Sequence, residues 1–276
     1  MIVHLVDGTY ELFRHFYGQR RFNDGEDKPH AALLGVLGTV LQMLETGATH
    51  IGVATDHVIE SFRNDLYPGY KTGEGIDRVL WSQFHPLEDA LVAMGVATWP
   101  MVELEADDGL ASAAHIAAAD KKVEKVCIWT PDKDLSQCVV GERVVQIDRR
   151  SGAVRDADGV FEKFGVKPER IPDFLALVGD TADGYPGIPK IGKKTAATLI
   201  KKHGALESWP AAVLGEHRDD ALLFKKLATL RTDAKLFKKV DDVRWRGSTK
   251  SFAALAKKLG APRLTERAEK ALAKAT

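Results

Sequence analysis

Short apolar segments alternate with longer helical patterns along the first half of the chain. Five segments have the composition and length of buried strands. They are IVHLV (2–6), HIGVAT (50–55), VATWPMV (96–102), KVCIWT (125–130) and RVVQI (143–147). Residues 30–45 and 107–120 have the apolar spacing of helices. This alternation predicts an α/β fold with a mostly parallel central sheet flanked by helices.

Acidic residues follow the predicted strands at the points where the strands end. They are Asp7, Asp56, Glu105, Asp107, Asp108, Asp132 and Asp134. Because the carboxyl ends of parallel strands meet at one edge of a sheet, these seven side chains are expected to converge there. Taken singly, Asp7, Asp108 and Asp132 also fit roles in turns or helix caps.

A cluster of carboxylates has an electrostatic cost that cations can remove. Two like charges 4 Å apart repel by roughly 4 kcal/mol at an effective dielectric constant near 20. The cluster therefore predicts raised pKa values or bound cations, and oxygen ligands alone select hard ions such as Mg²⁺ or Mn²⁺. The two cysteines, Cys127 and Cys138, lack metal-ligand spacing, and Cys127 is predicted to lie in the core.

The formal net charge of zero conceals a division along the chain. Residues 1–183 hold 18 Lys and Arg against 30 Asp and Glu, whereas residues 184–276 hold 21 against 9. The basic C-terminal third suggests a polyanionic partner, although solvated helix faces that differ in sign are the alternative. No run of about 18 apolar residues and no signal sequence is present, which predicts a cytoplasmic protein without a membrane partner.

Residues 177–198, LVGDTADGYPGIPKIGKKTAAT, combine acidic and basic features. Asp180 and Asp183 stand at the end of the predicted helix IPDFLALVG and add two carboxylates to the cluster. Gly192 precedes the next predicted helix, whose first N–H groups can bind phosphate, and five lysines surround this turn. They are Lys190, Lys193, Lys194, Lys201 and Lys202. The segment predicts a helix–turn–helix that grips a duplex backbone; a glycine-capped helix hairpin with a solvated basic face is the alternative.

With these motifs in place, the sequence resembles the 5′-nuclease superfamily, which comprises flap endonucleases and the 5′–3′ exonuclease domain of bacterial type I DNA polymerases. The matching segments are VDGTYELFR, SFRNDLYPGYK, EADDGLAS, TPDKDL and GDTADGYPGIPKIGKKTA, in the family's order within residues 1–204. The resemblance implies a structure-specific 5′ nuclease, with flap endonuclease and 5′–3′ exonuclease activity on DNA in replication and repair.

Three other classes of protein share part of this sequence pattern. A phosphatase of the haloacid dehalogenase class is disfavoured because Leu5 occupies the position of its nucleophilic aspartate. A PIN-type ribonuclease shares the acidic α/β core but lacks the basic helix–turn–helix. A catalytically silent DNA-structure-binding protein is disfavoured because all nine family carboxylates are present.

The resemblance also assigns residues to roles. It implies two or more metal ions, one group of ligands being Asp7, Asp56, Glu105 and Asp107 and the other Asp108, Asp132, Asp134, Asp180 and Asp183. Lys71 and Arg63 are expected to steer the scissile phosphate as catalytic residues. The expected DNA contacts are Arg14, Tyr10, Tyr70, Gly187, Ile188, Lys190, Gly192, Lys193, Lys194 and Thr195.

The domain organisation implied is a PIN-like nuclease core at 1–172, with an arch segment around 64–90, and a helical DNA-binding region at 173–276. The second region contains a helix–hairpin–helix-type motif at 184–204 of the H3TH type, where a K⁺ ion is a further expectation. Two departures stand out: Gly184 replaces the family's usual Asn, and Arg78 is the one basic residue in 72–90. A stand-alone, monomeric, nucleoid-associated enzyme acting on 5′ flaps, nicks or free 5′ ends is expected.

Overall fold

A six-stranded sheet forms the centre of the molecule in the computed structural model, which describes residues 1–20 and 28–275. The strands are β1 (Ile2–Asp7), β2 (His50–Asp56), β3 (Ala97–Met101), β4 (Lys125–Trp129), β5 (Val144–Ile147) and β6 (Val154–Arg155). Their order is β3-β2-β1-β4-β5-β6; the first five run parallel, and β6 pairs antiparallel with β5. The prediction of an α/β fold with a mostly parallel sheet is confirmed.

Helices surround this sheet, and a series of helices follows its last strand along the chain. They are α1 (Gly8–Arg20), α2 (Ala31–Glu45), α3 (Phe62–Leu66), α4 (Arg78–Trp81), α5 (Phe84–Ala93), α6 (Ala106–Ala119), α7 (Ala157–Phe164), α8 (Ile171–Val178), α9 (Lys193–His203), α10 (Ala211–Leu214), α11 (Arg218–Ala228), α12 (Phe252–Lys258) and α13 (Arg263–Ala275). Short 3₁₀ helices span Asp134–Cys138, Pro168–Arg170, Leu206–Ser208, Gly215–His217 and Val240–Val243. The helices predicted at 30–45 and 107–120 are observed as α2 and α6.

The sequence explains the positions of a central strand and an edge strand of the sheet. Val3 and Leu5 of the central strand β1 are fully buried, as expected for a strand with neighbours on both sides. Pro100 has no N–H to donate and lies in β3, which is an edge strand and tolerates this loss. Cys127 is buried in β4, as predicted, and both cysteines are free.

Apolar cores fill the spaces around the sheet. The first lies among α1, α2 and α5, and the second lies under α6 on the other face. A further core joins α8, α9 and α11 and forms the helical region that follows the sheet. The C-terminal part of the chain then packs against the first core again. The Trp245 indole donates to the Met94 carbonyl at 2.9 Å, and Arg267 pairs with Glu45 at 2.8 Å. Helices α12 and α13 thus complete the first core.

Several sequence-based expectations are not decided by this packing. The division into 1–172 and 173–276 stays a prediction, and residues 21–27 and Thr276, which fall in those regions, lie outside the described residues. Within the described part of the chain, none of the helices combines the length and apolar character needed to span a membrane.

Candidate active site

The carboxyl edge of the sheet carries the expected carboxylates. Asp7 and Asp56 are the last residues of β1 and β2, which are parallel neighbours. The loops after the adjacent strands bring further acidic residues to the same edge. They are Glu105, Asp107 and Asp108 at the start of α6, and Asp132 and Asp134 after β4.

Hydrogen bonds fix the first of these carboxylates to the main chain and to a neighbouring strand. Asp7 accepts from the Tyr10 N–H at 2.8 Å and from the Thr130 hydroxyl at 3.1 Å. Asp56 accepts from the N–H of Ala106, the first residue of α6, at 2.8 Å. Because the first N–H groups of a helix are positively polarised, they favour negative charge at this edge. The fold itself therefore positions the acidic side chains.

Asp134, Asp180 and Asp183 form a compact group of carboxylates. Each offers one oxygen atom, and the three atoms lie within 4.8 Å of one another. Asp180 and Asp183 reach the edge from the turn after α8, where Asp180 is bridged to Tyr185. Oδ1 of Asp134 is buried and has no hydrogen-bond partner among the described residues. A divalent cation would satisfy such an acceptor, and a donor set made only of oxygen suits a hard ion.

Burial and mutual repulsion make these carboxylates hard to ionise together. Burial raises the pKa of Asp7 to about 7, and the charges of Asp56 and Asp132 act in the same direction. Burial and then the charge of Asp132 raise the pKa values of Asp107 and Asp134 well above their usual range. Each pKa unit corresponds to about 1.4 kcal/mol, so cations that compensate the cluster stabilise the folded protein at neutral pH.

Two lysines already compensate part of this negative charge. Nζ of Lys71 lies 2.7 Å from Glu105 and 3.0 Å from Asp183. Burial alone would lower the pKa of Lys71, but the two carboxylates raise it well above its usual value. Lys133 pairs with Asp180, a contact the sequence reasoning missed although Lys133 stands between two predicted ligands in TPDKDL. The lysine side chains are 32% and 34% exposed, so a phosphate can reach both.

Arg63 differs from its predicted role. Its side chain is 1% exposed and donates to both oxygens of Asp108, at 2.7 and 2.8 Å, and to Glu105 at 3.0 Å. The remaining donors bind the carbonyls of Leu227 and Thr229 at the end of α11. With its donors all engaged inside the protein, the guanidinium does not steer a phosphate in this structure. Asp108, predicted as a metal ligand, is fully buried and accepts from Arg63 with both oxygens; its role at a metal stays a prediction.

The two predicted stacking tyrosines lie in different environments. Tyr70 is 4% exposed and packs in the core of α8, α9 and α11, with its hydroxyl 3.4 Å from Glu105. Its ring is therefore not available to a base, contrary to the prediction. Tyr10 is half-buried in the first turn of α1, beside Asp7, and its role in stacking stays a prediction.

Arg14 pairs with Glu11, a residue that the sequence reasoning missed. Its Nη2 lies 2.5 Å from Glu11, whose side chain is fully buried. The signal for this pair is its three-residue spacing, which places both side chains on one face of a helix such as α1. The DNA contact expected of Arg14, which is 28% exposed, stays a prediction.

The predicted helix–turn–helix is observed as α8, a turn and α9, and its residues have two kinds of position. Gly187 has a φ of +73°, and a Cβ there would lie 2.3 Å from the Gly179 nitrogen; Ile188 is 5% exposed in the core. These two residues shape the turn. The other predicted contacts are exposed around the start of α9; they are Lys190, Gly192, Lys193, Lys194 and Thr195.

Gly184, the departure from the family pattern, occupies a position that favours glycine. Its φ is +88°, and a Cβ would lie 2.2 Å from the Gly69 carbonyl oxygen. Next to it, the Lys71 N–H donates to the Asp183 carbonyl at 2.9 Å. The base of the arch segment and the turn that carries Asp183 are thus joined through their main chains.

Comparison with known proteins agrees with this geometry. The family model for the 5′–3′ exonuclease N-terminal resolvase-like domain matches residues 2–165, and the model for the 5′–3′ exonuclease C-terminal SAM fold matches 166–251. DNA polymerase I of Pseudomonas aeruginosa is 34% identical over 257 residues, which cover 86% of this chain and 28% of that protein. A 5′–3′ exonuclease of Buchnera aphidicola subsp. Schizaphis graminum is 33% identical over 208 residues, covering 74% of this chain and 71% of the relative.

Solved structures share the fold over the whole chain. The flap endonuclease of bacteriophage T5, in a complex with DNA and metal ions, matches with a TM-score of 0.65 at 18% identity, covering 100% of this chain and 99% of that one. Flap endonuclease-1 from Methanococcus jannaschii matches with a TM-score of 0.63 at 16% identity, covering 100% and 93%. From its acidic sheet edge to its helix–turn–helix, this chain belongs to the 5′–3′ exonuclease family.

Proposed function

We propose that this protein is a structure-specific 5′ nuclease that hydrolyses DNA phosphodiester bonds with two or more Mg²⁺ or Mn²⁺ ions. The observation that carries the proposal is the group of Asp134, Asp180 and Asp183, with its unsatisfied buried oxygen, at the carboxyl edge of the sheet. Relatives named 5′–3′ exonucleases support the reaction type, and the complex of the T5 enzyme with DNA and metal ions supports the substrate and the cofactor class.

Two sets of carboxylates would hold the cations. The first set is Asp7, Asp56, Glu105 and Asp107, and the second is Asp132, Asp134, Asp180 and Asp183. Asp108 would act as a positioning residue through Arg63. Bound cations would supply a water of lowered pKa as the nucleophile and would stabilise the leaving oxygen. The chain's own contribution is to fix the ligands on strand ends and helix starts before substrate arrives.

Lys71 is the residue that we assign to the scissile phosphate. Its ammonium bridges Glu105 and Asp183, one carboxylate from each side of the cluster, and is one-third exposed. Because Lys71 remains charged far above neutral pH, it can donate to a phosphate oxygen throughout the reaction. Lys133 pairs with Asp180 and is exposed to a similar extent as Lys71, so it is a second candidate for this contact with the phosphate.

The start of α9 would bind the backbone of the duplex next to the cleavage point. Gly192 has open space where a Cβ would stand, so a phosphate can approach the N–H groups of this eleven-residue helix. The exposed Lys193 and Lys194 add charge at the same end. Contacts of this kind hold the backbone without reading the bases. A K⁺ ion between this turn and a phosphate is part of the proposal, on the strength of the family resemblance alone.

The arch segment around 64–90 would receive the free 5′ strand. It includes the end of α3, a loop, α4 and most of α5, and Arg20 of α1 pairs with Asp77 of this segment at 2.7 Å. With Arg78 as its one basic residue in 72–90, it offers little charge to a threading strand. We therefore propose action on nicks and free 5′ ends as well as on 5′ flaps, by a monomer associated with the nucleoid.

A flap substrate labelled at either the 5′ or the 3′ end of the cleaved strand tests this function. With Mg²⁺, a 5′ nuclease releases the labelled flap or mononucleotides from the 5′ end, whereas EDTA abolishes both products. The variant with Asp132→Asn and Asp134→Asn is expected to lose cleavage and to bind duplex as well as or better than the original protein, because it removes repulsion of the phosphates.

A matched control for that variant is Asp219→Asn, which changes an exposed carboxylate on α11 and is expected to cleave normally. Unchanged turnover by the double variant would contradict the assignment of the acidic cluster. Cleavage of RNA in preference to DNA would favour a ribonuclease.

A further inference from the structure

Trp81, on α4 of the arch segment, is an exposed aromatic residue that the nuclease mechanism does not use. It is 41% exposed, more than any other tryptophan of the chain. The others are buried or half-buried; they are Trp99, Trp129, Trp209 and Trp245. Single exposed apolar residues are common on protein surfaces, so the surroundings of Trp81 decide whether it has a role.

The ring of Trp81 is held in place from one side. Its centroid lies 5.1 Å from that of Phe84, which is 4% exposed, and the two planes are inclined by 33°. Phe84 in turn meets Phe13 of α1 edge-on, with 6.1 Å between the ring centroids. Because the indole is anchored on a buried ring and stays partly exposed, it loses little conformational freedom when a second flat group stacks on it.

Trp81 also lies beside the loop that carries Lys71. A Cβ at Gly73 would lie 3.7 Å from Cζ3 of the Trp81 ring. The Cα atoms of Lys71 and Gly73 are at most about 7 Å apart, because two peptide units join them. The Asn64 amide donates to the Lys71 carbonyl at 2.9 Å. The Gly73 N–H donates to Glu60 at 3.1 Å, so both ends of this short loop are fixed next to the aromatic ring.

The charges around Trp81 favour contact with a base over contact with a phosphate. Within residues 72–90, Arg78 stands against four carboxylates, which are Glu74, Asp77, Glu88 and Asp89. Glu60 is exposed close to the ring, since a Cβ at Gly73 would lie 3.7 Å from its Oε1. Acidic surroundings do not attract a phosphate backbone. Stacking needs no positive charge, and every base offers a flat face.

We propose that Trp81 stacks on an unpaired base of the 5′ strand and so favours substrates whose 5′ nucleotides are unpaired. The inference rests on the proposed function, which supplies the DNA strand. Lys71 would meet a phosphate of that strand while the indole meets the base of a nearby nucleotide. The contact replaces the stacking that the buried ring of Tyr70 cannot provide. An arch with little positive charge then holds the strand through its bases.

Binding of flaps with and without bases tests this contact. One substrate is a duplex with a 5′ flap of deoxythymidines; the other carries a flap of abasic nucleotides, which keeps the phosphates. In EDTA, which prevents cleavage, Trp81→Leu is expected to bind the base-bearing flap about tenfold more weakly than the original protein does. With the abasic flap, the two proteins are expected to bind alike, because the stacking partner is already missing. Trp81→Phe keeps an aromatic face and is expected to recover part of the loss.

Phe161→Leu is the matched control. Phe161 is a 53% exposed aromatic residue on α7, outside the arch segment, and this variant is expected to bind both flaps as the original protein does. Fluorescence gives a second measurement. The base-bearing flap is expected to quench the tryptophan emission of the original protein but not that of Trp81→Leu.

Two results would overturn the inference. One is equal binding of the base-bearing flap by the original protein and Trp81→Leu. The other is an equal loss with both flaps, which would mean that Trp81 only supports the structure of the arch. Cleavage of the same flap in Mg²⁺ tests the proposed function separately. Normal cleavage by the original protein, with no effect of Trp81→Leu on binding, would overturn this inference alone, whereas a protein that neither binds nor cleaves the flap would overturn both.

Discussion

Replacing Arg63 with Met is expected to destabilise the protein strongly rather than to block its chemistry directly. Methionine keeps most of the length of the side chain but removes every donor. The change would leave Asp108, which is fully buried, and Glu105, which is 3% exposed, without their guanidinium partner. It would also release the carbonyls of Leu227 and Thr229 at the end of α11.

The magnitude follows from the burial of the pair. Removing one partner of a buried ion pair costs about 3–5 kcal/mol, because the other charge stays buried and uncompensated. For a domain of 150–250 residues, each kcal/mol lowers the melting temperature by about 2–4 °C. The chain has 276 residues, so a decrease on the order of 10 °C is expected for Arg63→Met. Arg63→Lys retains the charge but not the two-pronged contact, so its loss is expected to be smaller.

Urea unfolding and thermal melting measure this cost, and single-turnover cleavage at low temperature separates stability from chemistry. Arg246→Met is the matched control, since Arg246 is 63% exposed and its pair with Asp241 lies at the surface. Exposed ion pairs contribute about 0.2–1 kcal/mol, so this control is expected to melt nearly normally.

The reasoning would be refuted if the free energy of unfolding of Arg63→Met lay within about 0.5 kcal/mol of that of the original protein and the variant nevertheless lost cleavage. That outcome would return Arg63 to the catalytic role that the family resemblance implies. A large loss of stability, with cleavage preserved in the folded fraction, would support a structural role instead.

Three further outcomes follow from the site. Lys71→Ala is expected to slow single-turnover cleavage by about a hundredfold while duplex binding changes little; a loss of affinity alone would reassign the residue. Lys193→Ala with Lys194→Ala is expected to weaken all duplex sequences alike and to reduce the slope of log affinity against log salt by about 1 for each phosphate that a lysine no longer neutralises; sequence-selective weakening would argue against backbone binding. In EDTA the raised pKa of Asp7 means that this carboxyl binds its proton more tightly in the folded protein than in the unfolded chain. The melting temperature is therefore expected to rise as the pH is lowered from about 8 to about 6.5. Below pH 6.5, His4 and His15 oppose this rise, because burial lowers their pKa values to about 4. Mg²⁺ is expected to stabilise the protein most near pH 8. A melting temperature that falls as the pH is lowered from 8 to 6.5 would contradict the electrostatics of the acidic cluster.

The sheet and its acidic edge could be predicted because both depend on local pattern. Strand composition located β1, β2 and β4 to within a residue or two, and the position of Asp7 and Asp56 at strand ends followed from the same segments. The parallel arrangement then brings those ends together without any further information. A physical rule of topology thus turned separate positions into one predicted site.

The side-chain partners inside the site could not be predicted in the same way. Arg63 is buried because the end of α11 lies across it, a contact between residues 164 positions apart. Tyr70 is buried for a similar reason, in a core built from helices more than 100 residues later. In sequence, the segment SFRNDLYPGYK, which contains both residues, has the charge and spacing of a phosphate-binding loop whether or not the fold buries them. Only packing distinguishes an arginine that meets DNA from one that holds the protein together.

The return of the last two helices to the first core has a consequence for synthesis on the ribosome. Arg267 reaches Glu45 across 222 residues, and Ala271 is buried in the same core as residues of α2. During translation, the apolar surface of α2 and α5 remains uncovered until nearly all the described chain has emerged. Long-range closure of this kind is slow and leaves nascent chains prone to aggregate. The N-terminal half therefore depends on the C-terminal helices to complete its folding, although the acidic residues at its strand ends, such as Asp7 and Asp56, are synthesised long before them.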